Sequence, residues 1–186
     1  MMLVEVPQTY ISSYYVQLKK GSKDTLTGYV KMDGAVASHK VQLEIPGLRI
    51  KKELTTDAKG YASFEIKAKP ILWSTENPYL YQVSLSTDTD KVTDEIGFRT
   101  IETKGRQILL NGNPVFLKGI SIHEEAPFRS GRICSEEEDL TLLNWAKELG
   151  CNYVRLAHYP HNEKMVRLAE KMGLMVWSEI PAVSYT

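Results

Sequence analysis

The segment 151–181 constrains the fold more than any other stretch, because it reads as a strand, a polar turn, a helix and a second strand. A short run rich in β-branched and aromatic residues opens it, and Asn162 then suits a helix N-cap. From Met165 to Met172 the apolar residues recur at i, i+3, i+4 and i+7, which predicts an amphipathic helix. Gly173 suits the helix end, and the apolar run 174–177 is typical of a buried parallel strand.

Ionisable side chains gather where these two predicted strands end. Arg155 lies near the end of the first strand and His158 follows it, while Glu179 follows the second. Two parallel strands joined by one helix have their carboxyl ends at the same rim, and ligands bind at that rim in barrels and open α/β sheets. The sequence therefore predicts that these three side chains share one site.

A third strand is predicted upstream, over 115–122, and it ends at His123. Ser135 and Glu138 form an S-x-x-E capping box at the start of a helix. The apolar stripe of that helix is predicted to comprise Leu142, Trp145, Ala146 and Leu149. Residues 115–180 therefore read as strand, helix, strand, helix, strand, with the strands parallel and His123 at the same rim.

The N-terminal half has a different pattern, in which short runs rich in Val, Ile, Tyr and Thr are separated by turn residues. Strands are predicted at 14–18, 25–32, 40–45, 48–54, 61–66 and 79–85. Val41, Leu43 and Ile45 alternate with polar residues, as expected of a strand with one buried face. Many short strands without a helix indicate an immunoglobulin-like β-sandwich over residues 1–103, followed by an α/β segment over 104–186.

An Asn111-Gly112 pair between two apolar runs predicts a tight β-hairpin at the start of the second region.

The 23 basic and 23 acidic side chains balance, which favours neither nucleic acid nor a membrane surface as a partner. No run approaches the roughly 18 apolar residues of a spanning helix. Cys134 and Cys151 are the only cysteines, and two reduced thiols are expected. The sequence does not indicate a compartment.

Taken together, the motifs resemble those of glycoside hydrolase family 2, the β-galactosidase, β-glucuronidase and β-mannosidase group. The matching segments are Pro78-x-Leu80-Tyr81, Ile96-Gly97-Phe98-Arg99, LLNGNPVFLKG at 109–119, His123-Glu124, NYVRLAHYP at 152–160, and Gly-x-x-Val-x-x-Glu at 173–179. The resemblance implies an immunoglobulin-like domain followed by the first units of a (β/α)8 barrel. A complete barrel needs about 250 residues. It also implies a retaining mechanism with two glutamates, which would follow the fourth and seventh strands, beyond residue 186.

The resemblance further implies that His123, Arg155, His158 and Glu179 match positions that line the sugar pocket. Glu179 falls where some β-galactosidases bind magnesium, but the histidine that follows there is replaced by Ile-Pro-Ala-Val at 180–183. No metal or other cofactor is therefore expected for this chain, and magnesium stays an alternative for the complete enzyme. Three structural readings stay open: Arg155 can simply pair with a neighbouring carboxylate, Glu179 can serve only to orient it, and His158 can be a turn residue hydrogen-bonded to the backbone. Glu124 and Glu125 are not expected to form an acid/base pair, because adjacent strand residues face opposite ways.

The expected function is therefore that of a piece of a retaining exo-β-glycosidase, with β-galactosidase as the first choice and no catalytic carboxylate of its own. The expected partner is a β-glycoside or oligosaccharide substrate. Uncovered strands of an incomplete barrel also predict homo-oligomers or local disorder over 107–186. The alternatives are a β-glucuronidase or β-mannosidase piece, or a self-contained β-sandwich module that binds carbohydrate or protein.

Overall fold

A computed structural model describes residues 5–34 and 38–180. The described chain forms two compact units, and each has its own hydrophobic core. The first comprises residues 5–34, 38–72, 80–102 and 110–112, and the second comprises 73–79, 103–109 and 113–180. None of the helices in these residues is long and apolar enough to cross a membrane.

The first unit is a β-sandwich of two antiparallel sheets. Its strands are β1 (Tyr10–Leu18), β2 (Thr25–Asp33), β3 (Lys40–Ile45), β4 (Ile50–Thr55), β5 (Tyr61–Lys67), β6 (Tyr81–Ser86) and β7 (Lys91–Ile96). One sheet has the order β1-β2-β5 and the other β4-β3-β6-β7. The predicted sandwich is confirmed. The strand β7, at the edge of the second sheet, was not predicted from the sequence.

The sandwich core follows the two-residue alternation of its strands. Val41, Leu43 and Ile45 of β3 are fully buried, whereas the polar residues between them are only partly so. Side chains from both sheets contribute to the one apolar cluster. At Gly28 the backbone of β2 passes so close to its neighbours that a Cβ would lie 2.1 Å from the Tyr15 carbonyl oxygen and 2.6 Å from the Phe64 ring.

The second unit contains the predicted alternation of strands and helices. Its elements are β11 (Gly119–Ile122), α1 (Glu136–Glu148), β12 (Tyr153–Leu156), α2 (Glu163–Lys171) and β13 (Met175–Ser178). The strands form a parallel sheet in the order β11-β12-β13. They are preceded by β8 (Ile101–Lys104), β9 (Gln107–Leu110) and β10 (Asn113–Val115), a small sheet of order β10-β9-β8. The predicted hairpin joins β9 to β10, with φ of 55° at Asn111 and 81° at Gly112, as a type I′ turn requires.

Helix α1 begins where it was predicted but turns a different face inward. The Ser135 hydroxyl accepts a hydrogen bond from the Glu138 amide at 3.3 Å, which makes Ser135 the N-cap. The buried residues are Asp139, Leu143 and Ala146. Of the predicted stripe, Trp145 is 40% exposed and Leu149 is 71% exposed, so half of that prediction is wrong. The buried face instead includes a carboxylate.

Helix α2 has the predicted cap and the predicted buried face. The Asn162 side chain accepts from the Met165 amide at 2.9 Å, and Met165 and Ala169 are buried. Near its C-terminal end, the indole N–H of the fully buried Trp73 donates to the Glu170 carbonyl at 2.9 Å.

Cys134 is exposed, Cys151 is buried, and neither forms a disulfide.

Candidate functional site

Three of the four predicted site residues form one hydrogen-bonded cluster at the carboxyl-end rim of the parallel sheet. Arg155 lies in β12, His158 follows that strand, and Glu179 follows β13. The Arg155 Nε donates to Glu179 Oε1 at 2.7 Å. The His158 Nδ1 lies 3.2 Å from Arg155 Nη2 and 3.3 Å from Glu179 Oε2. The three side chains predicted to share the rim therefore do lie together.

The carboxylate of Glu179 is the most sheltered part of this cluster. Its side chain is 17% exposed, compared with 37% for Arg155 and 55% for His158. The hydrogen bond from Arg155 is the main reason that the pKa of Glu179 lies below its ordinary value. Glu179 is thus ionised at neutral pH, and it holds the guanidinium in one orientation. The structural reading of Glu179 as an orienting partner of Arg155 agrees with this geometry.

His123, the fourth predicted residue, joins the cluster through ring contacts. It directly follows β11, and its imidazole packs edge-to-face against His158 with 5.3 Å between ring centroids. The ring of Tyr159 lies on another side, 6.4 Å from His123. Each of the three parallel strands therefore delivers an ionisable side chain to the same rim.

An open cavity of about 350 Å³ lies beside this cluster. It is lined by Arg155, His158, Trp177, Ser178, Glu179 and Ile180. Trp177 was not among the predicted site residues, and its side chain is 58% exposed. The sheet register offered a signal: Arg155 pairs with Trp177 between β12 and β13, and paired residues of parallel strands face the same side.

A second polar cluster, which the sequence did not reveal, surrounds Glu124. This residue is only 4% exposed. Its Oε1 accepts from both the backbone amide and the side-chain amide of Asn162, each at 2.8 Å, and its Oε2 accepts from Arg132. Glu125, next along the chain, is exposed, as the opposite facing of adjacent residues predicts.

Asp139 extends the second cluster to helix α1. Its Oδ1 accepts from the Asn162 side-chain amide at 3.3 Å, and the residue is 2% exposed. Burial raises the pKa of Asp139, and the nearby charge of Glu124 adds to that effect. In the described residues, no three His, Cys, Asp or Glu side chains are arranged to hold a metal ion.

This architecture defines a class: an immunoglobulin-like sandwich followed by β/α units of a parallel fold with ionisable residues at the strand ends. Comparison with protein families gives that class a name. The model described as "Glycosyl hydrolases family 2" matches residues 9–99, and the model described as "Glycosyl hydrolases family 2, TIM barrel domain" matches residues 101–186. The chain belongs to glycoside hydrolase family 2, and the predicted resemblance is confirmed.

Individual relatives within the family carry different names. A β-glucuronidase of Streptococcus agalactiae serotype V is 41% identical over 117 residues, which are 60% of this chain and 19% of that protein. A β-galactosidase of Alteromonas mediterranea is 35% identical over 125 residues, 64% of this chain and 12% of that protein. The crystal structure of a family 2 β-galacturonidase from Eisenbergiella tayi, bound to galacturonate, matches with a TM-score of 0.74 and 28% identity, covering 96% of this chain and 34% of that one. The chain thus spans about a fifth or less of these two curated relatives.

Proposed function

We propose that the protein to which this chain belongs is a retaining exo-β-glycosidase, and that His123, Arg155, His158 and Glu179 line its sugar pocket. The observation that supports this most directly is the cluster of Arg155, His158 and Glu179 at the rim of the parallel sheet, beside an open cavity. Family membership supplies the reaction class, the hydrolysis of β-glycosides.

The geometry suggests a division of labour among these residues. Glu179 neutralises Arg155 and fixes its orientation, so the guanidinium is presented without rearrangement. His158 lines the cavity and His123 packs against it, so their ring nitrogens can form hydrogen bonds with sugar hydroxyls, bonds that strengthen in the oxocarbenium-like transition state. The exposed indole of Trp177 offers an apolar surface to a sugar ring.

The two catalytic carboxylates of the reaction are not among these residues. A retaining glycosidase needs two carboxyl groups about 5–5.5 Å apart, one acting as nucleophile and the other as acid/base. Glu179 is occupied by Arg155 and His158, and Glu124 by Arg132 and Asn162. We therefore propose that the 186-residue chain alone does not hydrolyse glycosides.

The proposal includes no metal ion. A magnesium ligand needs a free carboxylate oxygen, because Mg²⁺ binds through oxygen atoms at about 2.0–2.1 Å. Both oxygens of Glu179 instead face nitrogen atoms, Oε1 at 2.7 Å and Oε2 at 3.3 Å. The residues present therefore do not fit a cation at this position.

For the terminal sugar we favour a uronic acid, and specifically a β-glucuronide. The Streptococcus agalactiae relative, which has the higher identity of the two curated relatives, is named a β-glucuronidase, and the Eisenbergiella tayi structure holds galacturonate. The β-galactoside expected from the sequence is the second candidate, since the Alteromonas mediterranea relative is named a β-galactosidase.

The test uses the complete enzyme and this chain side by side, with nitrophenyl β-glucuronide, β-galactoside and β-mannoside. We expect the complete enzyme to favour the glucuronide and this chain to show no turnover. Preference for the galactoside would select the second candidate. Turnover by the purified 186-residue chain would refute its proposed inactivity.

The pocket assignment is tested in the complete enzyme with Arg155→Met. We expect kcat/KM to fall by roughly 100-fold, because the guanidinium that positions the substrate is lost. Arg106→Met is the matched control, since Arg106 is exposed in the turn between β8 and β9. Equal activity of the two variants would show that Arg155 does not belong to the sugar pocket.

A further inference from the structure

We propose that Glu124 is a positioning residue whose buried carboxylate ties the loop after β12 to the loop after β11 and thereby sets the relation between His123 and His158. The loop after β11 carries His123 and the loop after β12 carries His158. The effect on catalysis rests on the proposed function, whereas the structural tie does not.

Both oxygens of the Glu124 carboxylate accept hydrogen bonds from groups in separate parts of the chain. Asn162, 38 residues away, provides two donors to Oε1, and Arg132, eight residues away, provides one to Oε2. Asn162 is also the N-cap of α2, because its Oδ1 accepts from the Met165 amide. Glu124 therefore fixes both the start of α2 and the loop 124–132 that returns past it.

Backbone contacts place the two histidine-bearing loops in register beside this carboxylate. The amide of Ala157 donates to the Ile122 carbonyl at 3.0 Å, and the Glu124 amide lies 3.2 Å from the Tyr159 hydroxyl, to which it donates. His123 therefore lies between two residues that are bonded to the loop after β12, and His158 lies between two residues that are bonded to the loop after β11. The carboxylate bonds from Glu124 to Asn162 join the same two loops a few residues further on.

The aromatic ring of Tyr159 contacts His123 on the loop after β11 and His161 on the loop after β12. It stacks on His161 with 5.3 Å between centroids and touches the edge of His123 at 6.4 Å. The guanidinium of Arg132 lies over the Tyr159 ring, with Cζ 5.3 Å from the ring centroid. Arg132 is therefore held between the Glu124 carboxylate and this ring, and the ring borders the site.

The charges around Glu124 keep it ionised. Burial acts to raise its pKa, but hydrogen bonds from Asn162 and Arg132 outweigh this and leave the pKa below its ordinary value. Asp139 shares the Asn162 amide, and the charge of Glu124 helps to raise the pKa of Asp139. Because the side chain is only 4% exposed and its oxygens bind groups of this chain, the role that fits Glu124 is positioning.

The direct test is NMR of this chain carrying Glu124→Gln, which preserves volume but turns one acceptor towards Arg132 into a donor. Glu125→Gln is the matched control, because Glu125 is adjacent and exposed. In the wild type and the control we expect cross-relaxation between the ring protons of His123 and His158, whose centroids are 5.3 Å apart. In Glu124→Gln we expect that signal to be lost while the remaining amide spectrum stays dispersed.

A second variant covers the case in which Glu124→Gln does not fold. Arg132→Gln removes one tie from a side chain that is 68% exposed, which a folded chain tolerates. We expect the His123–His158 signal to weaken. A purely structural role for Glu124 would instead lower stability and leave that signal unchanged in the folded variants, and this result would overturn the proposal.

In the complete enzyme, misplacement of the histidines should appear in kcat. We expect Glu124→Gln to lower kcat on the order of 100-fold with a much smaller change in KM, and Glu125→Gln to stay within about twofold. Wild-type kcat in a folded Glu124→Gln enzyme would contradict the positioning role. If the complete enzyme cleaves none of the glycosides, the proposed function fails, and the NMR comparison still decides whether Glu124 holds the loops.

Discussion

Replacement of Asn162 is the most informative perturbation of the second unit, because one amide side chain performs two tasks. Its Oδ1 caps α2 by accepting from the Met165 amide, and its Nδ2 donates to the buried carboxylates of Glu124 and Asp139. Asn162→Ala removes both tasks. Asn162→Ser and Asn162→Asp keep an oxygen for the cap and remove the side-chain amide N–H groups that reach the two carboxylates.

The magnitudes follow from the separate contacts. Loss of an N-cap side chain costs about 1 kcal/mol of unfolding free energy. Loss of a hydrogen bond to a charged group costs about 1.5–3 kcal/mol. We therefore expect Asn162→Ala to lower the unfolding free energy by about 3 kcal/mol and Asn162→Ser by about 2 kcal/mol. In Asn162→Asp a third carboxylate would join two buried ones, and we expect a loss of about 3 kcal/mol despite the intact cap.

The assay is urea unfolding followed by tryptophan fluorescence, because all three tryptophans, Trp73, Trp145 and Trp177, belong to the second unit. Asn144→Ala is the control, since Asn144 is exposed on α1 and its replacement should change stability by less than about 0.5 kcal/mol. Asn and Asp are equally good N-caps. If Asn162→Asp is as stable as the wild type at pH 7, the amide serves only as a cap and the reasoning about the buried carboxylates is wrong.

Three further predictions test other parts of the chain. Asp139→Asn should raise the unfolding free energy at neutral pH, because burial raises the pKa of Asp139 in the folded state. The stability of the wild type therefore falls as pH rises from the ordinary pKa of 3.8 to the folded-state pKa. In urea titrations, the advantage of the variant should vanish below that interval. Gly28→Ala should destabilise the sandwich by roughly 1–3 kcal/mol in thermal unfolding followed by circular dichroism, because its Cβ would meet a backbone oxygen at 2.1 Å; an unchanged midpoint would contradict this. The exposed Trp177 and Ile180 should promote self-association, so sedimentation should depend on concentration and Trp177→Lys should shift the chain towards monomer, whereas a wild-type monomer with strong amide protection over 107–186 would refute the expectation.

Most of the fold could be predicted because its local signals agree with one another. Two-residue alternation, a capping box, an Asn-Gly turn and a helical stripe each specified an element that the structure contains. Strand β7 was missed because Lys91–Ile96 has apolar residues only at Val92 and Ile96. It lies at a sheet edge, where one neighbouring strand and partial burial suffice, so its sequence needs no strong apolar face.

The inward face of α1 could not be predicted from its own sequence. Leucines at 140, 142, 143 and 149, with Trp145, surround much of the helix, so periodicity alone did not choose one face. The face that is buried includes Asp139, whose carboxylate accepts a hydrogen bond from Asn162 of the next helix cap, 23 residues away. A carboxylate is acceptable in such a place only with a partner, and helical spacing carries no information about that partner.

Part of the candidate site could likewise be predicted from local sequence, and part depends on distant contacts. The grouping of Arg155, His158 and Glu179 could be predicted because the carboxyl ends of parallel strands meet at one rim. That rule needs only the order of the strands and helices. Glu124 needs donors from Arg132 and Asn162, which lie on loops whose shape no periodicity describes. One clue was nevertheless present: if Glu124 and Glu125 face opposite ways, one of them is turned towards the interior and must find a positive or N–H partner there. In the structure that partner is Arg132, eight residues further on, in a loop that folds back beside the strand end.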